Sequence, residues 1–434
     1  MRRLLVTTLL SEGTMAPIVS TLLLILAASP DTLVAPVDSA VIQVPEPSPL
    51  AQQFHHSGHW VWAAVNAWSI LWPLAFAALG LSSRLRTAAK RVAPGWLPTV
   101  LLFSSTYLVL DALVSLPLSW YVGFQRPHAY GLSDRPLSDW LLDRSKSLGV
   151  FLVVASPVIV VAYALIDRFP RRWWLILGVL SFPFLLFMAL IKPLWIDPVF
   201  NQFGPMNDPA LEARLLAMAD RAGIEGSRVY EVDKSRETRT VNAYVTGFLG
   251  SKRIVLWDTL LNRLDDDEVA AVMAHEMGHY VLGHVVKGLA VTSVLILFGL
   301  FLVDRLTRSI LRLSRGRFGF ESLADIASLP LLIALSQTVN LALTPVGFAY
   351  SRQIEHQADR FGLDLTHDNL SAARAFVKLQ QTNLGYPRPE WFYTLFRASH
   401  PSLGERIDFA NTYRPWAEEF ESDASDSRAP LPAK

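Results

Sequence analysis

The chemistry of this chain is concentrated in residues 275–279, which read His-Glu-Met-Gly-His. On a helix, residues four positions apart lie one above the other, so His275 and His279 can bind one metal ion while Glu276 lies beside it. Zinc hydrolases use this pattern, in which two imidazoles hold the metal and the glutamate acts as general base. A histidine pair on a helix face without a metal is the alternative interpretation.

The flanking sequence places this motif on a helix. Residues from about 265 to 284 predict one helix, and Asp265 with Glu268 has the spacing of a capping box at its start. Upstream, the hydrophobic pattern predicts a helix and three short strands. These elements are residues 209–222 for the helix and 228–232, 239–245 and 253–257 for the strands. The motif therefore lies at the end of a small α+β unit.

A catalytic zinc commonly takes three protein ligands, so a third one is needed. The extended metzincin pattern fails because His284 follows His279 by five residues instead of six, and we interpret His284 as a polar residue at the junction of helix and membrane. A glutamate on a second helix is the better match. Glu355 could bind the metal while Asp359, on the same helical face, holds a histidine ring by its free N–H. An ordinary solvated glutamate is the alternative for Glu355.

Composition indicates that membrane helices position these residues. Of the 434 residues, 51% are hydrophobic and 18% are charged, and the mean hydropathy is +0.30, which is typical of a chain with several membrane spans. Seven apolar runs are candidates. They are residues 16–28, 60–81, 97–122, 148–166, 173–191, 290–303 and 326–350. The net charge of +1 and the absence of a basic, aromatic-rich patch give no sign of a nucleic-acid partner.

Two further features of the chain leave alternatives open. Asp111 and the polar residues 336–340 lie inside apolar runs, which indicates either a wet chamber among the helices or hydrogen bonds between helices. His55, His56 and His59 lie just before the second run. We interpret them as juxtamembrane polar residues and not as a metal site, because no carboxylate accompanies them in the sequence.

Several motifs together resemble the membrane-embedded CAAX prenyl endopeptidases. They are residues 242–247 (Asn-Ala-Tyr-Val-Thr-Gly), 252–260, the motif at 275–279, the block 351–359, and His400-Pro401 followed by Glu-Arg-Ile at 405–407. The loop at 123–133 is also similar, although Pro127 stands where the family usually has Glu. The resemblance covers about residues 60–416. It implies a zinc metalloprotease with seven spans around a water-filled chamber.

The expected fold is therefore mainly α, a polytopic membrane protein with about seven transmembrane helices enclosing a chamber and a small α+β zinc domain of the gluzincin type. The predicted units are a first span or signal peptide (1–29), a Pro-rich linker (30–59), transmembrane helices (60–192), the zinc-peptidase insert (193–285), a transmembrane hairpin (286–350), the C-terminal part of the catalytic domain (351–416) and a disordered tail (417–434).

The resemblance also assigns roles within the expected site, which holds one Zn²⁺ per chain. Glu276 would take the proton of the attacking water and pass it to the leaving amine. His400 would stabilise the developing oxyanion, a surface histidine being the alternative. The substrate would lie along a strand edge near the zinc, where Asn242 would anchor the peptide backbone; an asparagine at a strand end is the alternative. The expected partners are the lipid bilayer and a peptide or protein substrate, lipidated or membrane-bound substrates included.

Loop charge predicts how the bundle is oriented, because short cytoplasmic loops are enriched in Lys and Arg. The loops after the second, fourth and sixth runs are basic and share a side with the N-terminus. Their basic residues are Arg84, Arg86, Lys90 and Arg91; Arg168, Arg171 and Arg172; and Arg305, Arg308, Arg312, Arg315 and Arg317. This favours a cytoplasmic N-terminus and an extracytoplasmic catalytic domain, although the eukaryotic members of the family have the opposite arrangement.

Two other functions compete with a membrane zinc endopeptidase. A quality-control metalloprotease that removes damaged membrane proteins would use the same site, but such enzymes typically have fewer spans. A non-catalytic scaffold or channel stabilised by zinc would need a fourth protein ligand, and the sequence offers no obvious one.

Overall fold

The computed structural model describes residues 41–224, 226–246, 252–314 and 316–416. Within these residues, six helices are long and apolar enough to cross a membrane. They are Pro49–Ala78, Trp96–Val114, Leu137–Arg168, Trp173–Phe200, His284–Ser314 and Ile326–Thr366. All six coincide with predicted apolar runs, so the prediction of a mainly helical, polytopic membrane protein is confirmed. The predicted first span and the tail lie outside the described residues.

The first described helix, α1 (Pro49–Ala78), begins well before the apolar run that predicted it at residue 60. The Ser48 hydroxyl accepts a hydrogen bond from the Ala51 amide at 3.1 Å, and Pro49 occupies the first helical position. Both features are typical of helix starts. The last part of the predicted linker, residues 49–59, is therefore helical, and it carries three histidines on α1.

Helices and π-helical turns connect α1 to the small sheet. The helices are α2 (Leu81–Val92), α3 (Trp96–Val114), α4 (Leu116–Trp120), α5 (Arg126–Ala129), α6 (Leu137–Arg168), α7 (Trp173–Ile191) and α8 (Asp197–Phe200). The π-helical turns are Tyr121–Gln125 and Lys192–Ile196. In the most apolar stretch of α6 only 11% of the residues are buried by the protein. Most of that surface is thus left to lipid or to an interior space, as the length and apolarity of the helix predict.

The polar insert forms a four-stranded sheet with helices on it. Its strands are β1 (Phe203–Gly204), β2 (Arg228–Val232), β3 (Ala243–Thr246) and β4 (Arg253–Trp257), and α9 (Pro209–Arg221) lies between β1 and β2. The strand order is β1-β2-β4-β3, with β2 parallel to β4 and β3 antiparallel to β4. The three predicted strands are present, although the middle one begins at Ala243 and not at residue 239. In the described part of the chain β3 is an edge strand.

After the short helix α10 (Asp258–Leu261), the metal-motif helix α11 runs over Asp266–Val281. The predicted capping box is present: the Glu268 amide donates to Asp265 Oδ1 at 3.0 Å, and the Asp265 amide donates to Glu268 Oε2 at 2.9 Å. The helix does not continue to residue 284 as predicted. Gly283 has a φ of +67°, a left-handed conformation that glycine adopts without strain, and α12 (His284–Ser314) begins directly after this turn.

The remaining elements return the chain to the metal-motif helix. A 3₁₀ turn (Ile326–Ser328) leads into α13 (Leu329–Thr366), which runs beside α1, α11 and α12. The C-terminal helices are α14 (Asn369–Thr382), α15 (Trp391–Phe396) and α16 (Leu403–Thr412). Because α12 and α13 form a hairpin, α13 comes back alongside α11.

Two glycines allow α11 and α13 to approach closely. A Cβ on Gly278 would lie 3.2 Å from the Ala358 Cα, and a Cβ on Gly362 would lie 3.0 Å from the His275 backbone nitrogen. Contacts to backbone atoms at these distances cannot be relieved by a side-chain rotation. The spacing of the two helices, and with it the position of every side chain between them, therefore depends on these glycines.

We expect Gly362→Ala to separate α11 from α13 and to lower the free energy of unfolding by about 1–3 kcal/mol, the usual cost of overpacking. The bound metal should decrease with it, because ligands on both helices move apart. Gly299→Ala is the matched control, since a Cβ there meets Val339 Cγ1 at an ordinary 3.6 Å. Thermal unfolding and metal content of the two purified variants test this, and equal behaviour would contradict it.

Candidate metal centre

Three buried side chains from α11 and α13 converge on one point. His275 Nε2 and His279 Nε2 lie 3.1 Å apart, and each lies 3.4 Å from a different oxygen of the Glu355 carboxylate, Oε2 for His275 and Oε1 for His279. Ligand atoms held about 2.0–2.1 Å from a tetrahedral zinc are about 3.3 Å apart. The distances between the three predicted ligands are therefore close to those between ligand atoms around a tetrahedral zinc.

Asp359 fixes the ring of His275 from the other side. Its Oδ1 lies 2.8 Å from His275 Nδ1, so Nδ1 donates its proton to the carboxylate and Nε2 is the ring nitrogen that remains for a metal. The buried Arg406 of α16 binds the same carboxylate, with Nη2 at 2.5 Å from Oδ1 and Nε at 2.9 Å from Oδ2. Asp359 is thereby held by two partners, and its position orients the imidazole.

His284 supports the second histidine in the same manner. Its side chain is fully buried, with Nδ1 at 3.0 Å from His279 Nδ1 and Nε2 at 3.1 Å from Gln357 Oε1. The amide oxygen of Gln357 only accepts, so His284 Nε2 carries the proton and His284 Nδ1 accepts from His279 Nδ1. This chain of hydrogen bonds leaves His279 Nε2 free of a proton on the side that faces Glu355.

Glu276 and His400 complete the surroundings of the three ligands. Glu276 is partly exposed and lines a cleft of about 530 Å³ that His275, His400, Arg406 and Asn242 also line. Burial raises the pKa of the Glu276 carboxyl above its usual range, although the neighbouring imidazoles oppose this. His400 Nε2 lies 3.1 Å from Glu355 Oε1, and its side chain is 58% exposed. The cleft thus connects solvent with the point on which the ligands converge.

Asn242 lies at the rim of this cleft, directly before the edge strand β3. Its side-chain oxygen accepts a hydrogen bond from the Ala243 amide at 2.9 Å, and its backbone carbonyl accepts from Trp257 on β4. Four of the seven residues selected from the sequence thus line one cleft, and the other three, His279, Glu355 and Asp359, lie behind it within 3.4 Å of the His275 ring nitrogens.

The donor set fits a divalent cation. Imidazole nitrogens of His275, His279 and His400 lie 3.1–3.4 Å from the oxygens of the buried Glu355 carboxylate, but among the described residues none has the geometry of a hydrogen bond to them. Burial and the Arg406 guanidinium act to lower the pKa of His275, but the nearby carboxylates outweigh them and raise it to about 10. Three carboxylates, on Glu276, Glu355 and Asp359, thus surround a space that favours positive charge. A divalent cation bound by two imidazoles and Glu355 supplies that charge and satisfies the carboxylate oxygens.

Comparisons with known proteins identify the family of the chain. Residues 205–414 match peptidase family M48, and residues 51–202 match the family described as CAAX prenyl protease N-terminal, five membrane helices. An uncharacterized metalloprotease of Bacillus subtilis, YhfN, is 39% identical over 78% of this chain and 80% of its own length. CAAX prenyl protease 1 of Saccharomyces cerevisiae is 33% identical over 69% of each chain.

A solved structure extends the comparison to the fold. The crystal structure of S. mikatae Ste24p superposes with a TM-score of 0.69 at 27% identity, covering 82% of this chain and 87% of that one. The membrane helices, the small sheet and the buried His-His-Glu group are thus those of an integral-membrane metalloprotease. The chain belongs to peptidase family M48, with the CAAX prenyl protease N-terminal region before the peptidase region. The resemblance inferred from the motifs is confirmed.

Sequence reasoning missed two residues of the site. His284 was interpreted as a polar residue at the membrane junction, but the Gly283 turn brings it back against His279. Arg406 was noted only as part of a motif, whereas it is buried against Asp359. Neither contact has a periodicity signal, because one depends on a turn and the other on packing between distant helices.

We expect His284→Ala to weaken metal binding about 10–100-fold, the usual effect of removing a hydrogen-bond partner of a metal-binding histidine. Without His284 the His279 ring is no longer held in one tautomer and orientation. Competition of the purified protein with a chelator measures the affinity. His356→Ala is the control, because this exposed histidine lies next to Glu355 in sequence and packs on Phe409; equal affinities of the two variants would rule out the role given to His284.

Proposed function

We propose that this protein is an integral-membrane zinc endopeptidase in which His275, His279 and Glu355 bind the metal. The observation that carries the proposal is the convergence of His275 Nε2 and His279 Nε2, 3.1 Å apart, on the Glu355 carboxylate, with Oε2 3.4 Å from the first nitrogen and Oε1 3.4 Å from the second, beside the cleft that Glu276 lines. Three protein ligands with one side open is the arrangement of a catalytic zinc, whereas a structural zinc has four.

Zinc fits this donor set better than a harder cation. Two imidazoles and one carboxylate are borderline ligands that suit zinc, while Mg²⁺ and Ca²⁺ prefer sites made of oxygen alone. When bound here, zinc supplies Lewis acidity that activates water and polarises the scissile carbonyl.

The protein's own residues move the proton and hold the substrate. Glu276 lies at the cleft with a raised pKa, which suits a general base that takes a proton from water and delivers it to the leaving amine. His400 reaches the cleft from the opposite side through an exposed ring and donates a hydrogen bond to the carbonyl oxygen as negative charge develops. Asp359 and Arg406 do not touch the substrate in this scheme; they orient His275.

The edge strand β3 gives an extended peptide a place to bind. Among the described strands β3 pairs only with β4, so its other edge is available for main-chain hydrogen bonds near the cleft. Strand addition of this kind makes small demands on side-chain sequence. Asn242 at the start of the strand anchors the peptide backbone.

The central experiment is Glu276→Gln. We expect this variant to retain its zinc but to lose about 10²–10⁴-fold in the rate of peptide cleavage, because a general base is removed while the ligands remain. Cleavage of an unstructured fluorescent peptide and metal analysis of the purified protein measure both. Asp266→Asn, an exposed carboxylate at the start of the same helix, is the control. Unchanged cleavage by Glu276→Gln would favour the non-catalytic scaffold instead.

Two further substitutions separate transition-state stabilisation from substrate binding. His400→Gln should lower kcat about 10²–10³-fold with little change in KM, because its hydrogen bond forms mainly in the transition state. Asn242→Ala should raise KM with a smaller effect on kcat, because the anchor holds the bound peptide throughout the reaction. Steady-state kinetics on one peptide test both, and the reverse pattern would exchange the two roles.

The name of the yeast relative, CAAX prenyl protease 1, makes a prenylated C-terminal peptide the first substrate to compare. The proposed substrate class is a peptide or protein segment at the membrane, lipidated or not. Cleavage of matched prenylated and unprenylated peptides in the same vesicles distinguishes these substrates, and Glu276→Gln gives the background for each.

We also propose that the N-terminus is cytoplasmic and the catalytic domain extracytoplasmic. The basic residues of α2 and of the end of α12 support this, because Arg86 contacts Asp325 and Arg308 contacts the Pro170 carbonyl, so the basic loops lie together. A phosphatase fused after Lys434 should be active when exported and a green fluorescent protein there should be dark. If the green fluorescent protein fusion fluoresces and the phosphatase fusion is inactive, the orientation is the opposite of the one proposed.

A further inference from the structure

Two of the three histidines on α1 contact a carboxylate that the sequence does not place near them. Glu390, the residue before α15, lies with Oε2 at 2.9 Å from His55 Nε2 and Oε1 at 2.8 Å from His59 Nε2. The absence of a carboxylate was the reason to interpret these histidines as juxtamembrane polar residues. Because the fold places Glu390 beside His55 and His59, that reason no longer holds.

The side chains have the spacing of a metal-binding set. His55 and His59 are four residues apart on one helix face, as in a helical two-histidine site, and both direct Nε2 at the same carboxylate. His56 adds a third imidazole, and one ligand nitrogen from each of the three histidines lies within 4.8 Å of the others. A tetrahedral metal needs ligand atoms about 3.3 Å apart, so each pair of ring nitrogens would have to approach by at most about 1.5 Å.

The surroundings hold one part of this group still and leave another part mobile. His55 is buried and stacks on Tyr386, with ring centroids 4.3 Å apart. His56 is exposed, so solvent can reach the group, and its ring lies edge-on to His55 with centroids 5.4 Å apart. Packing of Trp62 against Phe392 keeps α1 and α15 together, with ring centroids 5.3 Å apart. The group therefore combines one imidazole held by packing, that of His55, with one at the surface, that of His56.

One nearby cation competes with a metal. Arg397 Nη1 lies 3.2 Å from His59 Nδ1, and its guanidinium stacks over Tyr393. It contacts the ring nitrogen that faces away from Glu390. A metal on His59 Nε2 requires the ring proton to be on Nδ1, where it would oppose the arginine donor. Arg397 thus has to turn away when a metal binds.

We propose that His55, His56, His59 and Glu390 form a second metal site, for a divalent transition cation of the zinc type. Three imidazoles and one carboxylate give four protein ligands, which is the closed set of a structural site. On binding, the ring protons of His55 and His59 pass from Nε2 to Nδ1 by exchange with solvent, four metal–ligand bonds form, and the two hydrogen bonds to Glu390 are replaced.

The site joins parts of the chain that are far apart in sequence. It links the start of α1 to the segment that leads through α15 to His400. That segment is also held by Arg352 of α13, whose Nη1 donates to the carbonyls of Thr394 and Ala398 at 2.7 and 2.9 Å. A metal at the histidine cluster would stabilise this segment against α1.

The test uses the full-length protein purified through a tag without histidine. Each variant is equilibrated with Zn²⁺ and then dialysed, and its metal content is measured. We expect about two equivalents per chain in the wild type and about one in His275→Ala/His279→Ala, which lacks two ligands of the metal centre on α11. Because that variant reports the histidine cluster alone, failure of the proposed peptidase function does not affect the result.

Further variants in the His275→Ala/His279→Ala background make the assignment specific. Addition of His56→Ala and Glu390→Gln should remove the remaining equivalent and abolish the rise in Tm that Zn²⁺ produces. Arg397→Met should tighten binding, because the competing cation is removed, and His367→Asn, a histidine outside the cluster, should change neither readout. The proposal is wrong if the background variant retains no zinc, or if its zinc survives His56→Ala with Glu390→Gln.

Discussion

The close contact between α11 and α13 determines the site of this metalloprotease. Gly278 and Gly362 let the two backbones approach so far that His275, His279 and Glu355 point at one another across the gap. The apolar hairpin formed by α12 and the first part of α13 makes this possible, because it brings a distant stretch of chain back antiparallel to α11. A methyl group at either glycine would meet backbone atoms of the other helix at 3.0–3.2 Å, which is tighter than ordinary packing, so the helices would have to shift.

Charge balance explains the residues behind the ligands. Three carboxylates near one point are unfavourable unless positive charge offsets them, and Arg406 supplies only one unit. A divalent cation provides the rest, so the centre is built to be stable with metal bound. Asp359 and His284 each contact one imidazole, which keeps both Nε2 atoms directed at the proposed metal position beside Glu355.

The cleft connects the candidate metal centre with solvent and with the membrane region of the protein. Its rim is formed by the edge strand β3 on one side and by His400 on the other, while membrane helices carry the chain on either side of the peptidase region. The histidine cluster on α1 lies at the base of the segment that ends in His400. The position of that segment relative to α1 therefore bears on both the proposed catalysis and the proposed second metal site.

Local sequence was sufficient for the parts of the fold that have a local cause. Helical spacing identified the His275–His279 pair, apolar length identified six membrane helices, and the Asp265 and Glu268 spacing identified a helix start. The tertiary structure alone decided the rest. A glycine turn brings His284 under His279, packing of α16 buries Arg406, and α15 brings Glu390 to His55. These contacts join residues from separate elements, and periodicity within one element carries no information about which other element it will meet.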